Sequence, residues 1–413
     1  MSKWIWMLMG AAVLFGGLAG KVLAADPVIE MLQEKGVITA GEAQTLYDEK
    51  AKSEPVLLST AGSKLKMRGR IFAGYYVSDE DKNYAAKYDS GSYKNYKDGS
   101  FELPDGKLQL TWNPLERLSV VTRLSFSNAA AATPDYLYVQ YNGIVPGDRN
   151  SRLRVGKMKV DFGEETLTDN AVDNNVGLVS NSASIAGGYD EGIELYGNFI
   201  PGIFGYTLGL TNGSSGTGAD NNTNKAIAAK LFVKPIPQLH FSGSYYTADI
   251  ADGSTADFRI AGINSEPTGS GAGGWNRNVW EVDVKSRFFQ EDKKTEIARL
   301  AAAYGQFADE ASGAADREGT YYFLEGMYNF TPKVFAGARY SVVKLDNNYA
   351  TTMHGIKEAN EYTRTSLGMG YRLNKLVTLK AEYSWNGIER IDGGTGNKSL
   401  SDNLLIVGAS ATF

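Results

Sequence analysis

The stretch that decides the fold is Tyr136–Val160, YLYVQYNGIVPGDRNSRLRVGKMKV. Its alternation of apolar and polar residues predicts one strand over Tyr136–Tyr141, a short turn, and a second strand over Arg152–Val160. The Asn- and Asp-rich segment Asp161–Tyr189 follows, and a third strand is predicted over Gly192–Phe199. So long a connection inside a regular structure is usually functional, and we expect it to fold into a barrel and narrow a pore.

The composition favours many strands and excludes several function classes. The chain has 413 residues and a net charge of −5, with 24 Tyr, 47 Gly and only 11 Pro, which suits long strands joined by turns. The mild charge and the lack of a Lys/Arg run argue against nucleic acid as a partner. The absence of Cys excludes disulfides, thiol catalysis and Cys-ligated metals.

The N-terminus predicts export. Lys3, the apolar run Trp4–Leu18 and the small residues near Ala24 predict a signal peptide over residues 1–24. The alternative, a membrane anchor, needs about 20 apolar residues to span the hydrocarbon. Residues 25–53 predict a short periplasmic helical segment, with Thr39 and Glu42 as a capping box. This segment is either a docking element or an appendage of the barrel mouth.

From residue 64 to residue 413 the period is two. Trp280, Val282 and Val284 share one face of a strand, and Glu281 and Asp283 share the other. The strands run over about 10–13 residues, the length that a tilted strand needs to cross a bilayer. We therefore predict an all-β transmembrane barrel of about sixteen antiparallel strands, preceded by the short helical segment.

The connections and the aromatic residues indicate the membrane. Short turns such as Thr331–Lys333 alternate with long polar loops such as Ser78–Gly99, Ala308–Gly319, Leu345–Glu361 and Gly387–Ser401. Aromatic side chains concentrate near both strand ends, as in the two girdles of outer-membrane barrels. The chain ends on Phe413, which resembles the C-terminal assembly signal of such barrels. These features predict export through the periplasm to the Gram-negative outer membrane.

The predicted pore has a basic wall and an acidic loop. By strand parity, inward-facing basic residues include Lys66, Arg68, Arg70, Arg117, Arg123, Arg154, Lys285, Arg287, Arg339 and Arg364. The predicted constriction loop, residues 161–189, carries Asp161, Glu164, Glu165, Asp169 and Asp173. Opposed charges across water create a transverse field that tunes the preference for ions and dipolar solutes.

Three segments carry a resemblance to a known family. DYLYVQYNGIVPGDRNSRLRVGKMKVDFGEETLT (Asp135–Thr168), YDEGIELYG (Tyr189–Gly197) and YTLGLTNGSSGTGADNNTNKAIAAKL (Tyr206–Leu231) resemble the phosphate-selective porin O/P family. The resemblance implies a sixteen-stranded homotrimeric barrel whose third long loop constricts the lumen. Members that select phosphate carry basic residues at the constriction, whereas this chain has no Lys or Arg between Lys159 and Lys225.

The sequence therefore predicts a passive diffusion channel for ions and small hydrophilic solutes, with modest selectivity and no cofactor or metal. The alternatives are a phosphate- or anion-selective porin, the barrel sleeve of an outer-membrane electron-transfer conduit with a cytochrome, and a secreted all-β binding protein. An enzyme is not predicted, since His240 has Ser242 and Ser244 on the same face but no orienting carboxylate in the sequence nearby. The expected partners are outer-membrane lipid, the solutes and two further copies of the chain.

Overall fold

The computed structural model describes residues 56–60, 63–79, 96–126, 132–165, 178, 185–186, 188–213, 223–250, 259–260, 274–290, 296–311, 315–346, 349–353, 356–392, 396–401 and 403–413. Their strands are β1 (Val56–Thr60), β2 (Ser63–Ser78), β3 (Ser100–Leu115), β4 (Leu118–Ser125), β5 (Thr133–Asn142), β6 (Arg152–Lys159), β7 (Ile185–Ala186), β8 (Tyr189–Ile200), β9 (Phe204–Thr211), β10 (Ala226–Ile236), β11 (Leu239–Ile250), β12 (Arg259–Ile260), β13 (Trp275–Phe289), β14 (Glu296–Ala311), β15 (Arg317–Asn329), β16 (Val334–Leu345), β17 (Thr351–Met353), β18 (Ile356–Arg372), β19 (Val377–Asp392), β20 (Gly396–Ser401) and β21 (Leu404–Thr412).

Within these residues, sixteen strands form a closed antiparallel barrel. They are β2–β6, β8–β11, β13–β16, β18, β19 and β21, and each pairs with the next. The barrel closes because β2 pairs with β3 on one side and with β21 on the other, where Gly74 lies opposite Gly408. Closure leaves no unpaired strand edge in the wall, which a barrel in hydrocarbon requires. The predicted all-β barrel of about sixteen antiparallel strands is thus confirmed.

The two faces of the wall differ as the period of two predicts. On β13, Trp280 and Val282 are exposed on the outside, whereas Glu281 and Asp283 are buried inside. On β2, Ile71 faces outward and Phe72 is fully buried. Apolar side chains on the outside meet lipid, so the polar positions between them face the lumen.

The barrel end with the short connections has tight turns. Residues 116–117 join β3 to β4, and residues 237–238 join β10 to β11. Next to this end the C-terminus is fastened to β2. The Gly69 N–H donates to the Phe413 carbonyl oxygen at 2.8 Å, and the Phe413 N–H donates back at 2.9 Å. The Phe413 ring covers Gly69 so closely that a Cβ there would overlap it.

Three long loops predicted at the other end are largely strand. β14 extends to Ala311 and β15 begins at Arg317, so most of the predicted loop Ala308–Gly319 belongs to the wall. Strands also enter the predicted loops 345–361 and 387–401. A strand that projects past the apolar layer has water on both sides, and it therefore loses the alternation that identifies it.

The predicted signal peptide (residues 1–24) and helical segment (residues 25–53) lie outside the described residues. Among the residues that are described, no helix is long and apolar enough to cross a bilayer.

Candidate pore constriction

The third long connection, which joins β6 to β8, begins against the inner face of the barrel. The Gly163 N–H donates to Ser244 Oγ on β11 at 3.0 Å, and the Glu164 N–H donates to Asp283 Oδ1 on β13 at 3.2 Å. Gly163 has a φ of 59°, and a Cβ there would overlap the Glu281 carboxylate. Only glycine combines this backbone angle with so close an approach at low cost.

Glu164 connects this loop to three strands. Its carboxylate lies 2.6 Å from Lys230 Nζ on β10, 3.0 Å from His240 Nε2 on β11 and 3.1 Å from Lys285 Nζ on β13. Burial alone would raise the pKa of the Glu164 carboxyl, but His240, Lys230 and Lys285 together hold it well below its ordinary value. Glu164 is therefore ionised at neutral pH and anchors the loop to the wall.

The neighbouring loop acids are also in contact with wall cations. Asp161 Oδ1 lies 3.0 Å from Lys230 Nζ, and Glu165 Oε1 lies 3.9 Å from Arg339 Nη1. Arg339 also pairs with Glu325 at 2.7 Å. The acidic loop and the basic wall thus meet in direct ion pairs at these residues. The transverse field predicted from the sequence requires a water gap between the charges, which these three acids do not have.

Further described parts of the connection lie along the same side of the barrel. Leu178 is 2% exposed and packs with Met327 on β15 and Phe335 on β16. It also lies so close to Gly368 on β18 that a Cβ there would overlap it. Residues 185–186 form β7, which pairs with β12 in the connection between β11 and β13. Asp161 also accepts from Thr207 Oγ1 on β9 at 2.9 Å, so the described parts of the connection have contacts on the wall between β9 and β18.

An apolar cluster lies inside the barrel near the long-loop end. Val279 and Tyr321 are fully buried on inward positions of β13 and β15, and Phe162 of the loop packs into the same cluster. The cluster also includes Val160, Ala226, Ala228, Tyr246, Ala248, Ile250, Trp275, Phe307, Val343, Leu345, Ala359, Tyr362 and Ile388. The rule that inward positions are polar is wrong here, because a loop rather than water covers this part of the wall.

The strands β4, β5, β6 and β8 carry arginines stacked on tyrosines. The Arg123 guanidinium lies 3.6 Å from the centre of the Tyr136 ring, and its Nη2 donates to the Tyr189 hydroxyl at 2.6 Å. Its Nη2 also lies 3.3 Å from Asp135 Oδ2. The arginine is thus held by the Tyr136 ring, the Tyr189 hydroxyl and one carboxylate.

Two further arginines on β6 repeat the arrangement. Arg154 lies 5.0 Å from the Tyr138 ring and pairs with Glu194 at 3.1 Å. Arg152 lies 4.2 Å from the ring of Tyr196. We call Arg123, Arg152, Arg154, Tyr136, Tyr138, Tyr189 and Tyr196 the arginine–tyrosine wall. The sequence prediction of wall residues did not include these tyrosines. Strand parity could have identified two of them, because Tyr136 and Tyr138 share a strand face with Gln140.

The other predicted wall residues lie as follows. Lys66 and Arg68 occupy inward positions of β2. The other three residues have polar partners: Arg70 pairs with Asp105 at 3.2 Å, Arg364 donates to Asn386 at 2.8 Å, and Arg287 pairs with Glu296.

One predicted wall residue is assigned wrongly. Arg117 lies in the two-residue turn between β3 and β4 and is exposed, so strand parity does not apply to it. Asp169 and Asp173 lie outside the described residues.

A buried ion-pair triad was missed in the sequence. Asp309 Oδ1 pairs with Arg277 Nε at 2.7 Å, and Asp309 Oδ2 pairs with Arg317 Nη2 at 2.7 Å. All three side chains are almost fully buried at the long-loop end of β13, β14 and β15. Asp309 and Arg317 fell in a predicted loop, so the sequence offered no reason to pair them. In the part of the chain that the structure describes, no cluster of three or more His, Asp or Glu residues is arranged to hold a metal.

Comparisons with known proteins agree with this geometry. The family described as phosphate-selective porin O and P matches residues 81–266. The outer membrane channel DcaP of Acinetobacter baumannii has a similar structure, with a TM-score of 0.58 and 14% identity over 87% of this chain and 99% of that one. The anion-selective porin from Comamonas acidovorans gives a TM-score of 0.57 and 13% identity over 85% and 100% of the two chains. OmpT of Vibrio cholerae in its trimer form gives 0.52 and 12% over 86% and 100%. No curated protein sequence matches the chain.

The closed sixteen-stranded wall with a loop anchored inside it defines the chain as a porin. Its place is the Gram-negative outer membrane. Within that class, the chain resembles the phosphate-selective porins O and P over less than half of its length.

Proposed function

We propose that this porin is a passive diffusion channel for ions and small hydrophilic solutes, with modest selectivity. The observation that carries the proposal is the attachment of the third connection along one side of the lumen. Glu164 and Glu165 tie it to β10, β11, β13 and β16. The loop narrows the barrel from that side, and solutes pass along the rest of the wall, which includes the arginine–tyrosine wall on β4 to β8.

The modest selectivity follows from the charges. Asp161, Glu164 and Glu165 are all within ion-pair distance of wall cations, so their negative charge is largely compensated. The inward basic residues of β2, β4 and β6 are partly compensated as well, since Arg70, Arg123 and Arg154 pair with Asp105, Asp135 and Glu194, so only a modest positive surplus faces the solute path. Such a surface concentrates anions moderately, and salt screens the effect within about 8–10 Å. We therefore infer a weak preference for anions.

The alternative functions fit less well. A sleeve around a cytochrome needs an open lumen, whereas Leu178 and Phe162 pack against its inner wall. A dedicated phosphate site needs cations that are not already shared with carboxylates, and Lys230 contacts both Asp161 and Glu164. The structure brings to His240 the carboxylate that the sequence did not show nearby, since Glu164 Oε1 lies 3.0 Å from its Nε2. A catalytic role is still disfavoured, because the His240 ring stacks on Phe232 while Ser242 donates to Asp283 and Ser244 accepts from the Gly163 N–H.

We also propose a homotrimer, since OmpT of Vibrio cholerae, whose fold is similar, is described in a trimer form. Cross-linking of the purified protein in mild detergent tests this assembly. A species of one chain only would contradict it.

The channel function is tested by reconstitution into planar bilayers. We expect stable ohmic conductance and a small reversal potential in a KCl gradient, with the sign of a weak anion preference. Strong cation selectivity, or saturating block of chloride current by micromolar phosphate, would contradict the proposed selectivity. A protein without conductance would contradict the channel itself.

A further inference from the structure

We propose that Glu281 positions the third connection as an uncharged hydrogen-bond donor, because it shares one proton with Asp283 beneath the loop. The proposal rests on the channel function above. It makes the width of the pore depend on the protonation of this carboxyl pair, so that the anchored loop is released as the pH rises above neutral.

The first argument is the contact between the two carboxyls. Glu281 and Asp283 occupy successive inward positions of β13, and their side chains are hydrogen-bonded to each other. Glu281 is 2% exposed and Asp283 is 5% exposed. Two carboxylates have no proton with which to form such a bond, and their like charges repel each other in a buried site. The contact therefore requires the pair to hold one proton.

The second argument is the surroundings of Asp283, which identify it as the ionised member of the pair. Its Oδ1 accepts from the Glu164 N–H at 3.2 Å, and its Oδ2 accepts from Ser242 Oγ at 3.2 Å. The charged groups that act on it from the loop and from β10 are the Glu164 carboxylate and the Lys230 ammonium. Donors to both oxygens favour a carboxylate. Asp283 is therefore the acceptor of the shared proton.

Glu281 has the opposite surroundings. Among the described residues, its other hydrogen-bond partner is the Tyr321 hydroxyl on β15, which donates to Oε2 at 2.7 Å, and no cation lies within ion-pair distance of it. The carboxyl groups that act on it are Asp283 of its own strand and Glu165 of the loop. Negative neighbours without a cation disfavour a charge on Glu281. Glu281 therefore holds the proton and donates it to Asp283.

The third argument is that the loop covers this pair. Gly163 lies so close that a Cβ there would overlap the Glu281 carboxyl, and the Glu164 N–H is bonded to Asp283. When Glu281 loses its proton, two negative charges remain under the loop, and they repel each other less once water reaches them. Deprotonation therefore favours the released loop. Because Glu281 and Asp283 belong to one strand, they share the proton in both states at neutral and acid pH, and the effect is confined to alkaline pH.

The pH profile of the loop tests the proposal in the full-length protein in planar bilayers. Histidine titrates near pH 6.5 and tyrosine and lysine near pH 10, so recordings between about pH 7 and about pH 9 report mainly on carboxyls that have kept a proton. Coupled carboxyls interact by more than one pK unit, so dwell times in the main conductance level should shorten by about tenfold over this range.

Glu281→Gln separates the hydrogen bond from the proton. The amide oxygen still accepts from Tyr321 and the amide N–H still donates to Asp283, but there is no proton to lose. The variant should match the unmodified protein at neutral pH and should not respond to alkaline pH. Glu194→Gln is the matched control, because Glu194 is a buried inward carboxyl on β8 that pairs with a cation, Arg154, at 3.1 Å. Its ratio of neutral to alkaline dwell times should equal that of the unmodified protein.

Tyr321→Phe provides a second measurement that does not depend on the glutamine variant. It removes the hydroxyl that would stabilise an ionised Glu281 carboxylate. The alkaline shortening should therefore begin at a higher pH than in the unmodified protein. A shortening that begins at the same or a lower pH would contradict the assignment of the proton to Glu281.

Dwell times that are equal at neutral and alkaline pH in the unmodified protein would overturn the proposal. An alkaline shortening of undiminished size in Glu281→Gln would also overturn it. Short dwell times of Glu281→Gln at neutral pH would show that a charged Glu281 holds the loop, which contradicts the neutral donor. A channel that conducts with any of these outcomes refutes only this inference, whereas a protein that does not conduct refutes the proposed function itself.

Discussion

Replacing Glu164 with Gln tests whether the third connection is held by charge. The substitution keeps the size of the side chain and removes the carboxylate shared by Lys230, His240 and Lys285. The side chain of Lys230 is only 3% exposed, so water does not readily replace the lost partner. The loop should therefore leave the wall more often.

The magnitude follows from the contacts that remain. Removing one partner of a buried ion pair costs about 3–5 kcal/mol. Here Lys230 keeps Asp161 at 3.0 Å and the Gly163 carbonyl oxygen at 2.7 Å, and Lys285 keeps the Glu164 carbonyl oxygen at 2.9 Å. We therefore expect a loss of about 1–3 kcal/mol, which lowers the ratio of anchored to released loop by about 5- to 150-fold.

Single-channel recording measures this ratio. Glu164→Gln should shorten the dwell time in the main conductance level and add fluctuations to other levels. Glu358→Gln is the control, because the Glu358 side chain is 53% exposed and pairs with Arg390 at 2.9 Å on the outer rim. Exposed pairs contribute only about 0–1 kcal/mol, so the control should behave as the unmodified protein.

The pH dependence provides a second check on the same anchor. Because the pKa of Glu164 is lowered, its contribution is complete above the ordinary glutamate value and is lost only as the pH falls through the lowered pKa. Recordings at about pH 5 should thus match those at neutral pH, since the ordinary value is about 4.3. Dwell times in Glu164→Gln that equal those of the unmodified protein would refute the anchoring role.

Three further predictions concern folding. Gly69→Ala should displace the ring of Phe413 from the closing strand and lower the unfolding temperature of the barrel. This temperature is measured by heating samples in SDS and recording where the fast-migrating folded band is lost from the gel. An unchanged unfolding temperature would contradict this packing. Asp309→Asn leaves two buried arginines without their shared carboxylate and should cost about 3–5 kcal/mol in denaturant unfolding from detergent, whereas a cost below about 1 kcal/mol would show that the triad contributes little. Burial would raise the pKa of Asp148, but hydrogen bonds, chiefly from Asn198, lower it. The ionised Asp148 carboxylate therefore stabilises the fold fully above the ordinary pKa of about 3.9, and this stabilisation is lost as the pH falls through the lowered pKa. The stability difference between the unmodified protein and Asp148→Asn should accordingly shrink in acid, and a constant difference would contradict this assignment.

Much of the barrel was predictable from the sequence because its cause is local. Alternation such as that of Trp280 to Asp283 specifies which side chains face lipid, and a repeat of short turns specifies antiparallel neighbours. These signals gave the class, the number of strands and the inward direction of residues such as Arg123 and Lys285. These signals failed where the chain is not a strand with lipid on one side and the lumen on the other. Arg117 lies in a turn and has no strand parity, and the outer ends of β14 and β15 have no lipid to make them alternate.

The contacts of the third connection were decided only by the tertiary structure. The acidic loop was visible in the sequence, and so were the basic wall positions. Nothing local indicates that Glu164 meets Lys285, 121 residues away, or that Asp309 is shared by Arg277 and Arg317. Such pairs form because closure of the barrel brings distant strands to face one lumen, where buried charges must find partners. The period of two therefore determined the wall, and closure determined which charges inside it neutralise one another.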